Sequence, residues 1–401
     1  MNFFSKCQKL GILYLEQMST KPSIYKFAAA VPDPTLPVNV EQRGQHWINY
    51  GLDNLYPQFV TGLYEASAMN KTCVVSKHVY SVGEGLYCED PAYDYLLNRA
   101  NSDGETWNDV FQRACLDFII FGGHAINTIF STSGDKIVDL YNYDFNDIRS
   151  GQIDPDLDKV CWYYYSSDWA RWRRPLYRPR AIKSFDPAQG NTYPSQLLYD
   201  FDRTPGRKFY PVPSYSGGLT ACQVDVSVDS FHYYNLKNGL NPSLFISMNN
   251  GIPSPEERQD IYQDLASVFS GVEGAGKYFL AFNTDKEHGM EVTPIESAND
   301  DYYISLSQRL AQQILTSHRI TSPLLLGIKD IGGSGLTNNK DELTVAALHF
   351  QTTTITPIQQ RMLKTFNRLW TLAGNPGELI IKPLTLFNAE GEEVGETIIT
   401  E

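Results

Sequence analysis

Residues 300–320 read DDYYISLSQRLAQQILTSHRI, and residues 329–341 read KDIGGSGLTNNKD. In the first segment, apolar side chains recur at steps of three and four residues, at Tyr303, Leu306, Leu310 and Ile314. This spacing predicts an amphipathic helix. The second segment has three glycines within four residues and two adjacent asparagines, residue types that tolerate unusual backbone angles. It therefore predicts a mobile loop.

A second long helix is predicted after this loop, from Glu342 to Leu372. Its apolar residues again stand mostly at helical steps. A run of β-branched residues, 352–356, comes directly before Pro357. Such a run is a poor helix interior, and proline lacks the backbone N–H, so we expect a kink there. The pattern predicts two rigid helices that hold a loop between them, and it has no feature typical of a catalytic site.

Composition limits the classes of function. The chain has 401 residues, 42% of them hydrophobic, and a formal net charge of −13. This length is sufficient for two or more domains. The acidic balance argues against tight wrapping of nucleic acid, although nucleic acid could still slide past such a surface. The six cysteines show neither a CxxC pair nor zinc-ligand spacing, which predicts free, mostly buried thiols in a reducing compartment.

The rest of the chain predicts an α+β fold. Helices are expected over 57–64, 68–80, 106–118 and 224–235, and a β-hairpin over 124–143. Residues 184–218 are expected to be irregular, and 241–298 to form a small β-α-β-β unit. Prolines in residues 1–48 indicate an extended arm.

Residues 161–180 read CWYYYSSDWARWRRPLYRPR, in which aromatic residues are interspersed with five arginines. Two interpretations are open. One is a surface or subunit contact in which arginines stack on rings, and the other is a platform for single-stranded nucleic acid. The acidic chain favours the first interpretation.

No motif in the sequence indicates an enzyme. Residues 271–277, GVEGAGK, match the GxxxxGK spacing of a phosphate-binding loop, and a nucleotide-binding motor subunit is the alternative function that they suggest. However, Tyr278 stands where Ser or Thr is needed, and a strand rather than a helix is expected to follow. The histidines are isolated, and no GxSxG or EF-hand spacing occurs. We therefore expect no catalytic residue, no metal site and no cofactor.

A set of stretches, taken in order, resembles the portal proteins of tailed bacteriophages. These are YGLDNLYPQFV (50–60), YSVGEGL (80–86), FHYYNLKNGLNPSLFISMNNGIPSPEE (231–257), FSGVEGAGKYFLAFN (269–283), ITSPLLLGI (320–328), NNKDE (338–342) and FQTTTITPIQQRMLKTFNRL (350–369). The resemblance covers residues 49–372. It rests on the order and spacing of these stretches rather than on any one motif.

The resemblance implies a non-enzymatic subunit of a ring, usually a dodecamer, at one capsid vertex. Double-stranded DNA enters and leaves through the axial channel of such rings. The implied partners are the terminase large subunit, a head-tail connector (adaptor) protein and the major capsid protein, with no membrane. The implied location is the portal vertex of the virion, with the host cytoplasm during assembly.

The resemblance also implies a division of the chain. By position, an N-terminal arm (1–48) precedes a mixed α/β wing (49–228), a first stem helix (229–240), the clip (241–298) and a second stem helix (299–327). A tunnel loop (328–341), a kinked tunnel helix (342–374) and a C-terminal strand with an acidic tail (375–401) follow. The short remainder after Asn375 implies a reduced or absent crown.

The tunnel loop supplies the expected site of DNA passage. Its residues are Lys329, Gly332, Gly333, Gly335, Asn338, Asn339 and Lys340. Two lysines and two amides can contact phosphates only briefly and in a salt-dependent way, so DNA is expected to move past them without being trapped.

Overall fold

The computed structural model describes residues 38–42, 44–238, 300–328 and 340–382. It also describes shorter pieces, namely 242–248, 257, 260, 277–282, 291–294, 384, 386–387 and 393–394. The chain divides into two units, Met1–Asp33 and Pro34–Glu401, and all described residues belong to the second.

Seven α-helices are defined in the described residues. They are α1 (Tyr56–Ala66), α2 (Ala68–Val82), α3 (Trp107–Phe121), α4 (Leu219–Asn238), α5 (Asp300–Ser317), α6 (Lys340–Phe350) and α7 (Thr356–Leu372). These include every helix predicted above from a long periodic pattern. The predicted boundary between residues 228 and 229 falls inside α4, which begins ten residues earlier.

The largest sheet has six strands and forms one layer of the fold. Its strands are β4 (Gly123–Phe130), β5 (Ile137–Tyr143), β6 (Ile148–Ser150), β9 (Trp162–Tyr165), β10 (Arg180–Ser184) and β11 (Ser195–Phe201). Their spatial order is β5-β4-β11-β10-β9-β6, and only the β10–β11 pair is parallel. The β4–β5 hairpin confirms the one predicted from the sequence.

Strand β11 corrects the prediction that residues 184–218 are irregular. It lies inside the sheet and pairs with β4 along seven residues, from Ser195 opposite Ile129 to Phe201 opposite Gly123. Pro187, Gly190 and Pro194 precede it and hid the strand in the sequence. The pairing partners lie some 70 residues away in the chain, so the local pattern alone did not reveal this strand.

Helix α3 covers this sheet and carries the centre of the core. A capping box opens it, in which Thr106 and Asp109 each bond the other's backbone N–H, and Gly122 ends it with a left-handed φ of 81°. Its buried aromatic residues meet α7. The ring of Trp107 lies 4.9 Å from that of Trp370, and the Phe111 and Phe366 rings are 5.2 Å apart.

The predicted kink coincides with a change in helix type. Between α6 and α7, residues Gln351–Ile355 form a π-helix that ends two residues before Pro357. The Thr353 hydroxyl donates to the His349 carbonyl at 2.6 Å, and the Thr352 hydroxyl donates to the Leu348 carbonyl. The β-branched run therefore interrupts the regular hydrogen-bond ladder where the sequence indicated.

A three-stranded sheet lies between α4 and α5 in the chain. Its strands are β12 (Pro242–Met248), β13 (Lys277–Phe282) and β14 (Glu291–Pro294). The central strand β12 is parallel to β13 and antiparallel to β14. Parallel pairing requires a crossover connection, and Glu257 and Asp260 within that connection are helical. The rest of the predicted helix of this unit lies outside the described residues.

The short strands β1 (Asn39–Glu41) and β2 (Ile48–Tyr50) pair with each other. Part of the predicted N-terminal arm therefore folds back onto its own chain, while residues 1–37 lie outside the described residues. Near the other end of the chain, β15 (Leu379–Ile381) pairs with β3 (Leu86–Cys88). Four two-residue strands form two further pairs: β7 (Ile153–Asp154) with β8 (Lys159–Val160), and β16 (Leu386–Phe387) with β17 (Glu393–Val394).

The thiols agree with the prediction as far as they are described. Five cysteines are free and buried, namely Cys73, Cys88, Cys115, Cys161 and Cys222, and Cys7 lies outside the described residues. None of the helices described here combines the length and the apolar character that crossing a bilayer requires.

A buried polar cluster joins α2 to the end of α5. His318 is fully buried; its Nε2 lies 2.9 Å from Asn70 Oδ1, and its ring stacks on Tyr215 at 4.3 Å. Burial lowers the pKa of His318 to about 2, with a further contribution from the nearby Lys77. Burial likewise lowers the pKa of Lys77 from 10.5 to about 8. His318 is therefore neutral, whereas Lys77 keeps its charge at neutral pH at a cost in stability.

Replacing Lys77 tests this cost. Between pH 8 and 10.5 the unfolded chain holds a proton on Lys77 that the folded chain has lost, so the wild-type stability rises with pH in that window. We expect Lys77→Met to be more stable than wild type at pH 7, with an advantage that shrinks above pH 8. Urea unfolding at a series of pH values measures both quantities. An advantage that stays constant from pH 7 to 10.5 would contradict the assigned pKa.

Candidate channel-lining segment

Most of the predicted channel residues lie outside the described residues. These are Lys329, Gly332, Gly333, Gly335, Asn338 and Asn339, whereas Lys340 is the first residue of α6. The structure therefore describes the residues on either side of this segment. Their positions limit where the segment can lie.

The end before the segment is anchored in the core. Ser322 caps a short 3-10 helix, Pro323–Leu326, by accepting a hydrogen bond from the Leu324 N–H at 3.4 Å. Ile320 and Leu325 are buried on either side of this cap. Gly327 then adopts a left-handed φ of 70°, which turns the chain out of the helix.

The end after the segment is anchored through the π-helix. Phe350 is buried and packs edge-on against Tyr80 with ring centroids 5.7 Å apart. Ile355 is fully buried. The Gln359 amide donates to the Tyr80 and Ser81 carbonyls at 3.3 and 3.2 Å. These contacts hold the base of α6 against α2.

A carboxylate on β11 fixes α7 to the large sheet. Asp200 Oδ1 accepts a charge-assisted hydrogen bond from Arg361, and Asp200 Oδ2 accepts one from the Thr365 hydroxyl at 2.8 Å. His124 on β4 is buried, and the charges of Asp200 and Arg361 act on it. Burial is the main cause that lowers the pKa of His124 to about 4, so it stays neutral beside this pair.

The helices next to the segment expose apolar side chains. On α6, Val345 is 67% and Leu348 47% exposed, and they are three residues apart on one face. On the pair of helices α4 and α5, Ile304 of α5 is 56% exposed. Phe231 of α4 is 48% exposed, although its ring stacks on that of Tyr303. Apolar surface of this kind marks an interaction site when it is contiguous.

A groove also runs between α4 and α5. Its volume is about 700 Å³, and Val224, Leu310 and Arg309 are among the residues that line it. The groove lies where the first turns of α4 meet the last turns of α5. The described part of the chain therefore offers two separate surfaces, one on α6 and one on the α4–α5 pair.

The geometry of the aromatic–arginine segment disfavours a platform for bases. Trp169 is buried, Tyr163 is 8% exposed, and several remaining rings are covered by cations of the same chain. The pairs are Arg171 on Tyr177, Arg173 on Trp172, Arg180 on Tyr165, and Lys183 on Trp162 and Tyr193, all within 5.1 Å. Base stacking requires free ring faces. The geometry favours the interpretation as a surface or contact with internal cation–π pairs.

The phosphate-loop match has the wrong context. Lys277 is the first residue of strand β13, whereas a phosphate-binding loop must lead into the N-terminus of a helix. Residues 271–276 lie outside the described residues. Among the residues that the structure describes, no group of three or more His, Cys, Asp or Glu side chains could hold a metal ion.

Comparisons with known proteins are consistent with the fold described above. No family model matches the chain. Over 225 residues the chain is 21% identical to the probable portal protein of Escherichia phage P2, which is 56% of this chain and 58% of that protein. The chain thus spans little more than half the length of the curated relative that it matches.

Solved structures match over a larger part of the chain. A chain in the virion of a native gene transfer agent particle aligns with a TM-score of 0.56 and 17% identity, covering 81% of this chain and 83% of that one. A chain in the neck of the native particle, computed with C12 symmetry, aligns with the same TM-score and coverage at 18% identity. Likeness at this identity establishes a shared fold. The predicted α+β fold and the predicted resemblance to the portal proteins of tailed bacteriophages are therefore confirmed by a portal protein related in sequence and by a fold found in the neck of a virion-like particle.

Proposed function

We propose that this chain is the repeating subunit of a portal ring, a non-enzymatic channel through which double-stranded DNA is packaged and later ejected. The ring has twelve copies and occupies one vertex of the capsid in the virion. During assembly in the host cytoplasm it binds the terminase large subunit, and later the head-tail connector. The major capsid protein surrounds it.

The observation that carries this proposal is the shared fold with a chain of a neck determined with twelvefold symmetry. The sequence relationship to a phage portal protein supports it independently, over more than half of this chain. One comparison names a portal protein and the other the neck of a particle.

The distribution of apolar surface supports a ring. A head-to-tail ring requires two different surfaces on each copy, one for each neighbour. The α6 face with Val345 and Leu348 and the groove between α4 and α5 are such a pair. In the proposed ring, each copy buries its α6 face against its neighbour.

The placement of segment 328–341 supports its role as the channel loop. It joins the 3-10 helix Pro323–Leu326, which is held in the core, to α6, whose far end is held there through the π-helix. Its two lysines are the basic groups that DNA phosphates meet there. The three-stranded sheet between α4 and α5 is the proposed clip, which faces the motor and the connector.

The α6 face provides the first test. Val345→Glu combined with Leu348→Glu places two charges where apolar side chains are proposed to be buried, each burial being worth about 1.5–3 kcal/mol. We expect the purified double variant to remain small, while the wild type forms large rings in light scattering and negative-stain images.

A matched control is Val138→Glu, since Val138 is 50% exposed on β5 of the large sheet. This variant is expected to assemble like the wild type. Rings of normal size from the double variant would place the subunit contact elsewhere on the molecule.

The channel loop provides a separate test. Lys329→Glu combined with Lys340→Glu replaces two attractive charges with two repulsive ones, so DNA packaging or retention should fall while ring assembly stays intact. Encapsidated DNA per assembled particle is the measurement. Lys136→Glu with Lys364→Glu, at exposed positions, makes the same charge change as a control. Full DNA retention in the loop variant would remove this segment from the mechanism.

A further inference from the structure

An unpaired basic surface lies beside the short 3-10 helices Trp169–Arg171 and Pro175–Tyr177. Arg173, Arg174 and Arg178 are exposed, and among the described residues none of the three guanidinium groups has a carboxylate partner. Arg171, by contrast, is paired with Asp168 at 2.5 Å. These three positive charges fall within six residues of a chain that has an excess of 13 negative charges.

The same surface contains an exposed apolar side chain. Leu176 is 81% exposed and stands between Arg174 and Arg178 in the sequence. A phosphate backbone offers little for a leucine to contact, whereas the side chains of a protein partner do. We use the term arginine surface for Arg173, Arg174, Leu176 and Arg178.

A cavity of about 250 Å³ adjoins this surface. Arg173 belongs to both, and Trp169, Ala170 and Trp172 line the cavity as well. The volume is below the roughly 300–1,000 Å³ of typical small-molecule pockets, so it suits a short part of a longer ligand.

Two buried asparagines in the cavity lining have unused hydrogen-bonding atoms. Asn54 is 5% exposed, and its Oδ1 accepts from the Tyr50 N–H at 3.0 Å and from Arg149 Nε at 2.7 Å. This fixes the orientation of the amide and leaves Nδ2 without a partner. Asn49 is 4% exposed, and its Oδ1 also lacks a partner.

These features match one chemistry. The free amide atoms of Asn49 and Asn54 are closed to solvent, so these side chains form part of the cavity wall, and the exposed charges provide the recognition. Exposed guanidinium groups are complementary to carboxylates. Nucleic acid fits less well, since cations of the same chain already lie over several rings of this segment.

We propose that the arginine surface and the adjoining cavity bind an extended acidic peptide segment of a partner protein. The carboxylates of the peptide pair with Arg173, Arg174 and Arg178, an apolar side chain packs on Leu176, and its backbone enters the cavity beside Asn49 and Asn54.

The test uses the full-length protein and a labelled peptide with the sequence of residues 388–401, NAEGEEVGETIITE, as the acidic probe. This peptide has five glutamates and no basic residue. Fluorescence anisotropy should show binding that weakens as salt rises to about 0.15 M, because exposed charges are screened. Replacing the five glutamates with glutamine should weaken it strongly.

Two variants identify the site. Arg173→Glu, Arg174→Glu and Arg178→Glu together should lower the affinity about tenfold or more. Ala170→Trp, at an exposed position in the cavity lining, should lower it without any change of charge. The matched control is Arg99→Glu, Lys136→Glu and Lys364→Glu, three exposed residues without an ion-pair partner among the described residues. The control should bind like the wild type.

Three outcomes would overturn the proposal. The first is that the peptide does not bind, and the second is that it binds the arginine triple variant as tightly as the wild type. The third compares the affinity for the peptide with the affinity for a short DNA duplex. If the triple variant lost affinity for the duplex and kept its affinity for the peptide, the surface would recognise phosphates rather than carboxylates. Unchanged melting temperatures confirm that the variants are folded.

Discussion

The position of helices α6 and α7 depends on one carboxylate, that of Asp200, which accepts hydrogen bonds from two side chains of α7. It joins a strand inside the large sheet to two successive turns of α7 through Arg361 and Thr365. The aromatic contacts of α7 with Trp107 and Phe111 complete the attachment. Because α7 continues through the π-helix into α6, this attachment also determines where the segment before α6 ends. A functional segment acts at a defined place when the elements that flank it are rigid.

The helical half could be predicted from the sequence because its signals are local. The spacing of Leu306, Leu310 and Ile314 follows the helical period, and Leu310 and Ile314 are buried in the structure. The β-branched run before Pro357 likewise marks the interruption of the helix within a few residues. Such signals need no knowledge of distant contacts.

The missed features depend on contacts between distant parts of the chain. Strand β11 exists because β4 and β10 lie on either side of it, and its own seven residues carry only a weak pattern. Arg149 is fully buried, with hydrogen bonds to Asn54, Gln58 and backbone carbonyls, although the sequence around it gives no sign of this. The channel residues could be proposed from glycine and asparagine content, whereas the unpaired asparagines of the cavity could not.

The distribution of charge connects the two proposed sites. A channel that lets DNA pass must avoid strong, lasting phosphate contacts, and a net charge of −13 with only two lysines in the loop satisfies this requirement. Five of the arginines are instead concentrated in residues 171–180, in the connection between β9 and β10 and the first residue of β10, where among the described residues only Arg171 is paired with a carboxylate. An acidic protein that keeps such a basic cluster unpaired retains a local attraction for carboxylates without making its whole surface adhesive to DNA. The separation of these charges in the sequence, with the arginines more than 140 residues before the loop, allows the two functions to be changed independently.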